Sequence, residues 1–196
     1  MVGCGRGGRF LDSAKQKCYP NRAKQGKLDH EARASAPMGG LMPAEVGSKA
    51  PDFTLTNHER QPVTLSAQRG RPVVLAFFPA AFSSVCTKEL CTFRDSLARL
   101  NGANAQVFGI SVDTFFTLKA FHDHETLSFP LLSDFNKQVI RDYGVFNEDM
   151  IGLKGIAKRA VFVIDKDGVV RHREVLDDAR NEPDYEKVFK ALAALS

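Results

Sequence analysis

No long hydrophobic run occurs in this sequence. Its longest apolar stretch, Pro72 to Phe82, falls well short of the roughly 20 residues that a bilayer-spanning helix takes, so no membrane span is expected. Cysteine is scarce. Four in 196 residues do not make a disulfide scaffold, and their spacing lacks the two close pairs that hold zinc. A reducing compartment, the cytoplasm, is therefore the expected location. There is no apolar h-region near the N-terminus, which excludes a secretory signal. There is no internal repeat. Gly3-x-Gly5-x-x-Gly8 spells a dinucleotide fingerprint, but two residues cannot supply the strand that must precede one.

Charge is also missing where a nucleic-acid binder would carry it. The net charge is +4, yet residues 1–41 hold eight Lys/Arg against three Asp/Glu, and the remainder holds 19 against 20. The remainder has no basic surplus to suggest nucleic acid. Residues 1–41 show no sustained apolar periodicity and are rich in Gly, Lys, Arg, Ala and Gln. They are expected to be a disordered basic extension or an over-long start, with residues 42–196 forming one domain that opens at Met42. Their acid-poor composition also permits an organelle transit peptide. Cys4 and Cys18 within them have no designed role in this reading. Hydrophobic content of 43% and charged content of 26% are near globular averages.

What is present is an alternation of strands and helices. Phe53–Leu55 and Val63–Leu65 read as a short N-terminal hairpin. Pro72–Phe78 is a strand and Ser84–Leu100 a helix. Gln106–Val112 is a strand, Phe115–Thr126 and Asp134–Tyr143 are helices, and Ala160–Asp165 is a strand. Lys166-Asp167-Gly168 then turns into Val169–Val175, since Asp-Gly between strands is a strong hairpin signal. Asp184–Leu195 closes as a helix. Such an order implies an α/β sandwich with parallel central strands and an antiparallel edge.

The densest signal lies in Pro79-Ala80-Ala81-Phe82-Ser83-Ser84-Val85-Cys86-Thr87-Lys88-Glu89-Leu90-Cys91. It follows the apolar run Pro72–Phe78, which reads as a buried strand closed by proline. Ser83 and Ser84 are good N-cap residues. Cys86, Leu90, Phe93, Leu97 and Leu100 then recur at helical spacing. A thiol is thus placed in the first turn of a helix, where backbone N–H groups and the helix dipole favour thiolate over thiol.

These residues resemble the peroxiredoxins (the AhpC/TSA superfamily). The family's pattern of proline, three residues, threonine or serine, two residues, cysteine is filled by Pro79, Ser83 and Cys86. The resemblance runs from about Gly47 to Leu195. It includes Ala50-Pro51-Asp52-Phe53, Ser111-Val112-Asp113, Phe129-Pro130-Leu131-Leu132-Ser133-Asp134 and Tyr143-Gly144-Val145. Arg159, just before Ala160–Asp165, stands where the family places its active-site arginine. Two subgroups compete. Cys91 is similar to the resolving cysteine of the bacterioferritin-comigratory, or Q-type, members. Asn181-Glu182-Pro183-Asp184-Tyr185 looks more like the E-type alkyl hydroperoxide reductases, usually one-cysteine enzymes. Ser83 stands where threonine is commoner, which keeps a hydroxyl but loses the methyl that limits χ1.

The resemblance implies a thioredoxin-like fold, a central mixed sheet flanked by helices, and a thiol-dependent peroxidase. Its substrates would be hydrogen peroxide and alkyl hydroperoxides. Cys86 would attack peroxide as thiolate, with its own N–H and that of Val85 aimed at the attacked peroxide. Ser83 would accept from the peroxide and donate toward sulfur. Arg159 would bring permanent charge and several donors in one plane, and Pro79 would shield sulfur from water. Glu89, three residues after Cys86, would either orient Arg159 or be an exposed helix carboxylate.

Cys91 would resolve the sulfenic acid as a Cys86–Cys91 disulfide, or be a bystander among Thr87, Asp95 and Ala98. In an intact helix the two Cα atoms lie roughly 8–9 Å apart, and a disulfide wants less than about 7 Å. Resolution by Cys91 therefore requires the first turns to unwind. No cofactor is implied: His122 and His124, two apart, read as solvated rather than as metal ligands. The expected partners are peroxide and a reductant, either thioredoxin or a low-molecular-weight thiol, with the protein a monomer or a homodimer. A thioredoxin-type disulfide oxidoreductase would want Cys-x-x-Cys. A redox-sensing or holdase-like interaction protein stays open as an added role.

A chain starting at Met42 is expected to fold and to consume peroxide with dithiothreitol as well as the full chain does. Loss of either property would show that residues 1–41 have a structural or catalytic part.

Overall fold

The computed structural model describes residues 44–96 and 104–195. The expectations for residues 1–41, and for a helix running on past residue 96, lie outside the described residues. Nine strands are described: β1 Thr54–Asn57, β2 Pro62–Thr64, β3 Val73–Phe77, β4 Gln106–Ser111, β5 Leu131–Ser133, β6 Phe146–Asn147, β7 Ile156–Ala157, β8 Arg159–Ile164 and β9 Val170–Leu176. The α-helices among the same residues are α1 Ser84–Asp95, α2 Phe115–His124, α3 Val139–Asp142 and α4 Tyr185–Ala193.

Seven strands form one mixed sheet in the order β2-β1-β5-β4-β3-β8-β9. β3, β4 and β5 are parallel, β8 pairs antiparallel with β3, and β9 pairs antiparallel with β8. The expected N-terminal hairpin is β1–β2, and it joins the sheet through β5. β5 itself has no counterpart in the sequence reading. Three residues after Pro130 are too short a run for alternation to register.

β3 is buried along its whole length. A strand sends alternate side chains to opposite faces, so Val73, Leu75 and Phe77 enter one core with Phe162, Tyr143 and Ile110. Val74, Ala76 and Phe78 enter the other with Leu90, Phe93, Phe121 and Val188. That second core receives the stripe Cys86, Leu90 and Phe93 of α1. α1 therefore needs no long apolar run, only one buried side at helical period. Gly109 on β4 has no room for a side chain: a Cβ there would lie 2.6 Å from Leu131 Cδ2.

Two helix expectations are corrected. The segment expected as Asp134–Tyr143 is helical only at Val139–Asp142. Asp134 is a capping residue ahead of it, accepting from the N–H groups of Gln138 at 3.1 Å and Ile140 at 2.8 Å, while Lys137 sits at φ +61°. Local carboxylate bonding competes with the helix at such positions. α2 stops at His124 rather than Thr126, which takes φ +52°. Among the described residues no helix is long and apolar enough to cross a membrane.

Strand register decides what meets at the end of the sheet where β3 runs into α1. Phe77 pairs with Ala160, so Arg159 begins β8 beside the exit of β3. Arg159 in turn pairs with Leu176 at the end of β9, which brings the segment 177–184 over the same edge.

Candidate active site

Cys86 lies in the first turn of α1, fully buried, at the foot of a cleft of about 730 Å³. Pro79, Ser83, Val85 and Arg159 share its wall, faced by Met150 and Ile151. The guanidinium of Arg159 is 1% exposed. Its Nη2 donates to Cys86 Sγ at 3.4 Å. Its Nη1 donates to Glu89 Oε2. Nε and Nη2 both donate to the carbonyl of Ala179, at 3.2 and 2.9 Å. Glu89 is therefore a buried partner of Arg159 and not an exposed helix carboxylate. Of the six residues read from sequence, Cys86, Arg159 and Glu89 form one contiguous cluster, with buried Pro79 and exposed Ser83 at its rim.

Electrostatics follow from that packing. Burial pushes the Glu89 carboxyl up to about 7, against the pull of Arg159, with Glu182 and Glu174 adding to the rise. Its Oε1 has no hydrogen-bond partner, so nothing else offsets the desolvation cost of its charge. Burial pulls Arg159 down, but Glu89 and then Cys86 outweigh it and hold the guanidinium charge more firmly than usual.

The loop before Cys86 is fixed by contacts the sequence did not announce. Asp113, just past β4, accepts from the N–H of Ala81 and the hydroxyl of Ser111, both at 2.8 Å. Phe82 adopts φ +63°, a left-handed conformation costing a bulky residue about 1–3 kcal/mol. Its ring rests on Phe121, 5.0 Å between centroids. Ser83 is the N-cap residue by backbone, yet its hydroxyl makes no cap bond and donates to Ala80 O at 3.1 Å. The expected side-chain cap is thus replaced by a bond that tightens the loop.

Asp177, Asp178, Ala179 and Arg180 also line the cleft. Lys88 pairs with Glu182, which also accepts from the Tyr185 hydroxyl at 3.1 Å. The Tyr185 ring meets Phe93 of α1 edge-on at 5.5 Å. Asp178 is drawn down to about 2 by Arg180. The Ala179 carbonyl carries no side-chain signature, so only the register of β8 and β9 reveals its part.

Cys91 is five residues on in the same unbroken helix, and both thiols are free. It contacts neither Cys86 nor Arg159 by any described bond. Its Sγ donates to Glu125 Oε2 at 3.6 Å, an acceptor outside the bystander set Thr87, Asp95 and Ala98. His122 is not a freely solvated side chain: it stacks on the buried His58 with centroids 3.9 Å apart. His124 is exposed and pairs with Glu125 at 2.9 Å. No group of three or more His, Cys, Asp or Glu that could hold a metal gathers among the described residues.

The AhpC/TSA family model matches residues 46–173. The chain is 38% identical over 151 residues to the chloroplastic peroxiredoxin Q of Sedum lineare, covering 74% of this chain and 80% of that one. It is 42% identical over 133 residues to alkyl hydroperoxide reductase E of Mycobacterium tuberculosis, covering 66% and 84%. Its structure is similar to the crystal structure of peroxidoxin BcpB from Mycobacterium tuberculosis, with TM-score 0.69, 32% identity and coverage of 77% and 97%. The chain belongs to the AhpC/TSA family of peroxiredoxins and has their thioredoxin-like fold. It is a thiol-dependent peroxidase, an oxidoreductase that reduces peroxides at the expense of a thiol reductant.

The buried Glu89 leaves a pH signature. Its folded value of about 7 lies above the ordinary 4.5, so the folded state binds more protons than the unfolded state between those values. Stability is then greatest below about pH 4.5 for this group and is lost as pH rises through 7. Glu89→Gln should flatten that part of the profile in urea denaturation. An identical pH slope in both proteins would show that Glu89 is ionised throughout.

Proposed function

We propose that Cys86 is the peroxidatic cysteine and that Arg159, oriented by Glu89 and by the Ala179 carbonyl, is its electrostatic partner. The supporting observation is the Arg159 guanidinium itself. One of its edges reaches Cys86 Sγ at 3.4 Å while its other donors are taken by Glu89 and Ala179. The Cys86 thiolate attacks one peroxide oxygen, the O–O bond breaks, and the departing alkoxide takes up a proton to leave as alcohol or water. Arg159 offers a fixed charge where that oxygen becomes negative, which stabilises the transition state more than the ground state. Pro79 and the loop to Ser83 hold the sulfur out of bulk water, and the Ser83 hydroxyl lies on the rim that a peroxide crosses. Hydrogen peroxide and alkyl hydroperoxides both fit a cleft of about 730 Å³.

The sulfenic acid is resolved by Cys91 in this reading. An α1 intact through both cysteines means that residues 84–88 must unwind first, and that Cys86 travels to Cys91. The exposure of Ser84 and Lys88 and the absence of a Ser83 side-chain cap favour fraying there. Thioredoxin or a low-molecular-weight thiol then reduces the disulfide. The engagement of Cys91 with Glu125 favours a second reading, in which an external thiol resolves Cys86 in a one-cysteine cycle. The reading carries with it a monomer or homodimer in a reducing compartment, the cytoplasm, in keeping with the scarcity of cysteine in the sequence.

Cys86→Ser should abolish peroxide consumption with dithiothreitol while leaving the far-UV spectrum and melting temperature near wild type. Retained turnover would remove Cys86 from the reaction. Cys91→Ser should form sulfenic acid once and lose turnover with a dithiol reductant. If mass spectrometry finds lasting sulfenic acid on wild-type Cys86 with Cys91 free, the one-cysteine cycle holds instead.

A further inference from the structure

Cys91 and Glu125 meet across two helices. Cys91 lies on the second turn of α1, about 140° around the helix from Cys86. Glu125 is the C-cap residue of α2. Besides the bond from Cys91 Sγ to Glu125 Oε2 at 3.6 Å, Arg94 Nη1 donates to the Glu125 backbone carbonyl. His124 Nδ1 contacts the second carboxylate oxygen at 2.9 Å. The carboxylate is 18% exposed, so it is held in place rather than waving in solvent. Leu90 and Phe93, on either side of Cys91 in sequence, are fully buried, whereas Ser84 and Lys88 nearer the start of α1 are exposed.

We propose that Glu125 is a positioning residue for Cys91: its carboxylate tethers the thiol to the end of α2 and so sets how quickly Cys91 captures an oxidised Cys86. This rests on Cys91 being the resolving thiol. In the resolving step the Cys91 sulfur attacks the sulfur of Cys86–S–OH. The S–S bond forms, the S–O bond breaks, and the hydroxyl leaves as water with the Cys91 proton. The nucleophile is the thiolate. A carboxylate accepting the S–H bond favours the thiol and opposes the developing negative charge.

The Cys91 thiol as a whole is held above its ordinary value. Burial raises it, Arg94 opposes, and Glu125 and Asp95 raise it further. Glu125 is therefore a brake. It lengthens the life of the sulfenic acid and leaves time for an external thiol to compete, which would let one chain run either cycle.

Glu125→Gln keeps the shape and removes the charge. One equivalent of hydrogen peroxide added to reduced protein should oxidise Cys86 at the wild-type rate. The Cys86–Cys91 disulfide should then form about fivefold faster at neutral pH, the scale of one unit charge about 4 Å away in water-like surroundings. A direct readout is iodoacetamide alkylation of the Cys91 peptide, followed by mass spectrometry across pH in a Cys86→Ser background. The alkylation profile should move to lower pH in Glu125→Gln and stay near wild type in Glu125→Asp, which keeps the charge. A merely structural contact would not move that profile. An unshifted profile, or a disulfide forming no faster in Glu125→Gln, overturns the inference. A shifted profile with no disulfide in either protein overturns instead the assignment of Cys91 as resolving thiol, and the inference with it.

Discussion

A guanidinium that is 1% exposed must place its donors on partners inside the protein, because an unpaired buried charge costs several kcal/mol. Arg159 does so with three groups drawn from two parts of the chain: a thiol and a carboxylate from α1 and a carbonyl from the segment after β9. Each partner is delivered by register. β3 leads into α1, β8 begins opposite the exit of β3, and β9 ends opposite the start of β8. The arginine thus holds the helix start, the central sheet and the C-terminal segment to one point. Arg159 also carries both roles at that point, as the centre of a buried polar network and as the proposed charge partner of a reacting sulfur.

The same geometry divides α1 into two halves. Its first half is tied to Arg159 through Cys86 and Glu89, with Lys88 reaching out to Glu182 and Cys86 also packed in the apolar core. Its second half is held by apolar burial of Leu90 and Phe93, by the Tyr185 ring, and by Glu125 at the end of α2. The contact of Arg159 with Cys86 depends on the state of the sulfur, whereas apolar anchoring does not. In the proposed disulfide cycle, oxidation of Cys86 thus perturbs the half that would move and spares the half that carries Cys91. Low local stability at a moving functional segment is the general expectation.

Much of this was legible in the chain before any coordinates. The apolar run Pro72–Phe78 and the helical spacing of Cys86, Leu90 and Phe93 located β3 and α1, and the Asp-Gly turn located the β8–β9 hairpin. Resemblance supplied Arg159, which by composition alone is one arginine among many. What could not be read has physical reasons. β5 is three residues long. The helix expected from Asp134 is shortened because the Asp134 carboxylate bonds the backbone N–H groups ahead of it. Asp113 and Glu125 act at long sequence separation, and the Ala179 carbonyl has no residue-type signal at all. The ring stack of His122 on His58 joins α2 to the loop after β1, a contact that helical phase alone does not foretell.

The most direct test is the rate constant for a single oxidation of Cys86 by hydrogen peroxide, read by rapid mixing in wild type and Arg159→Lys. Lysine keeps a positive charge but cannot serve Cys86, Glu89 and Ala179 from one plane. A fall of roughly 10²- to 10³-fold is expected, the scale of losing a preorganised donor at a developing oxyanion, with the variant still folded. An unchanged rate constant would contradict the assignment of Arg159 as the group on which the site depends.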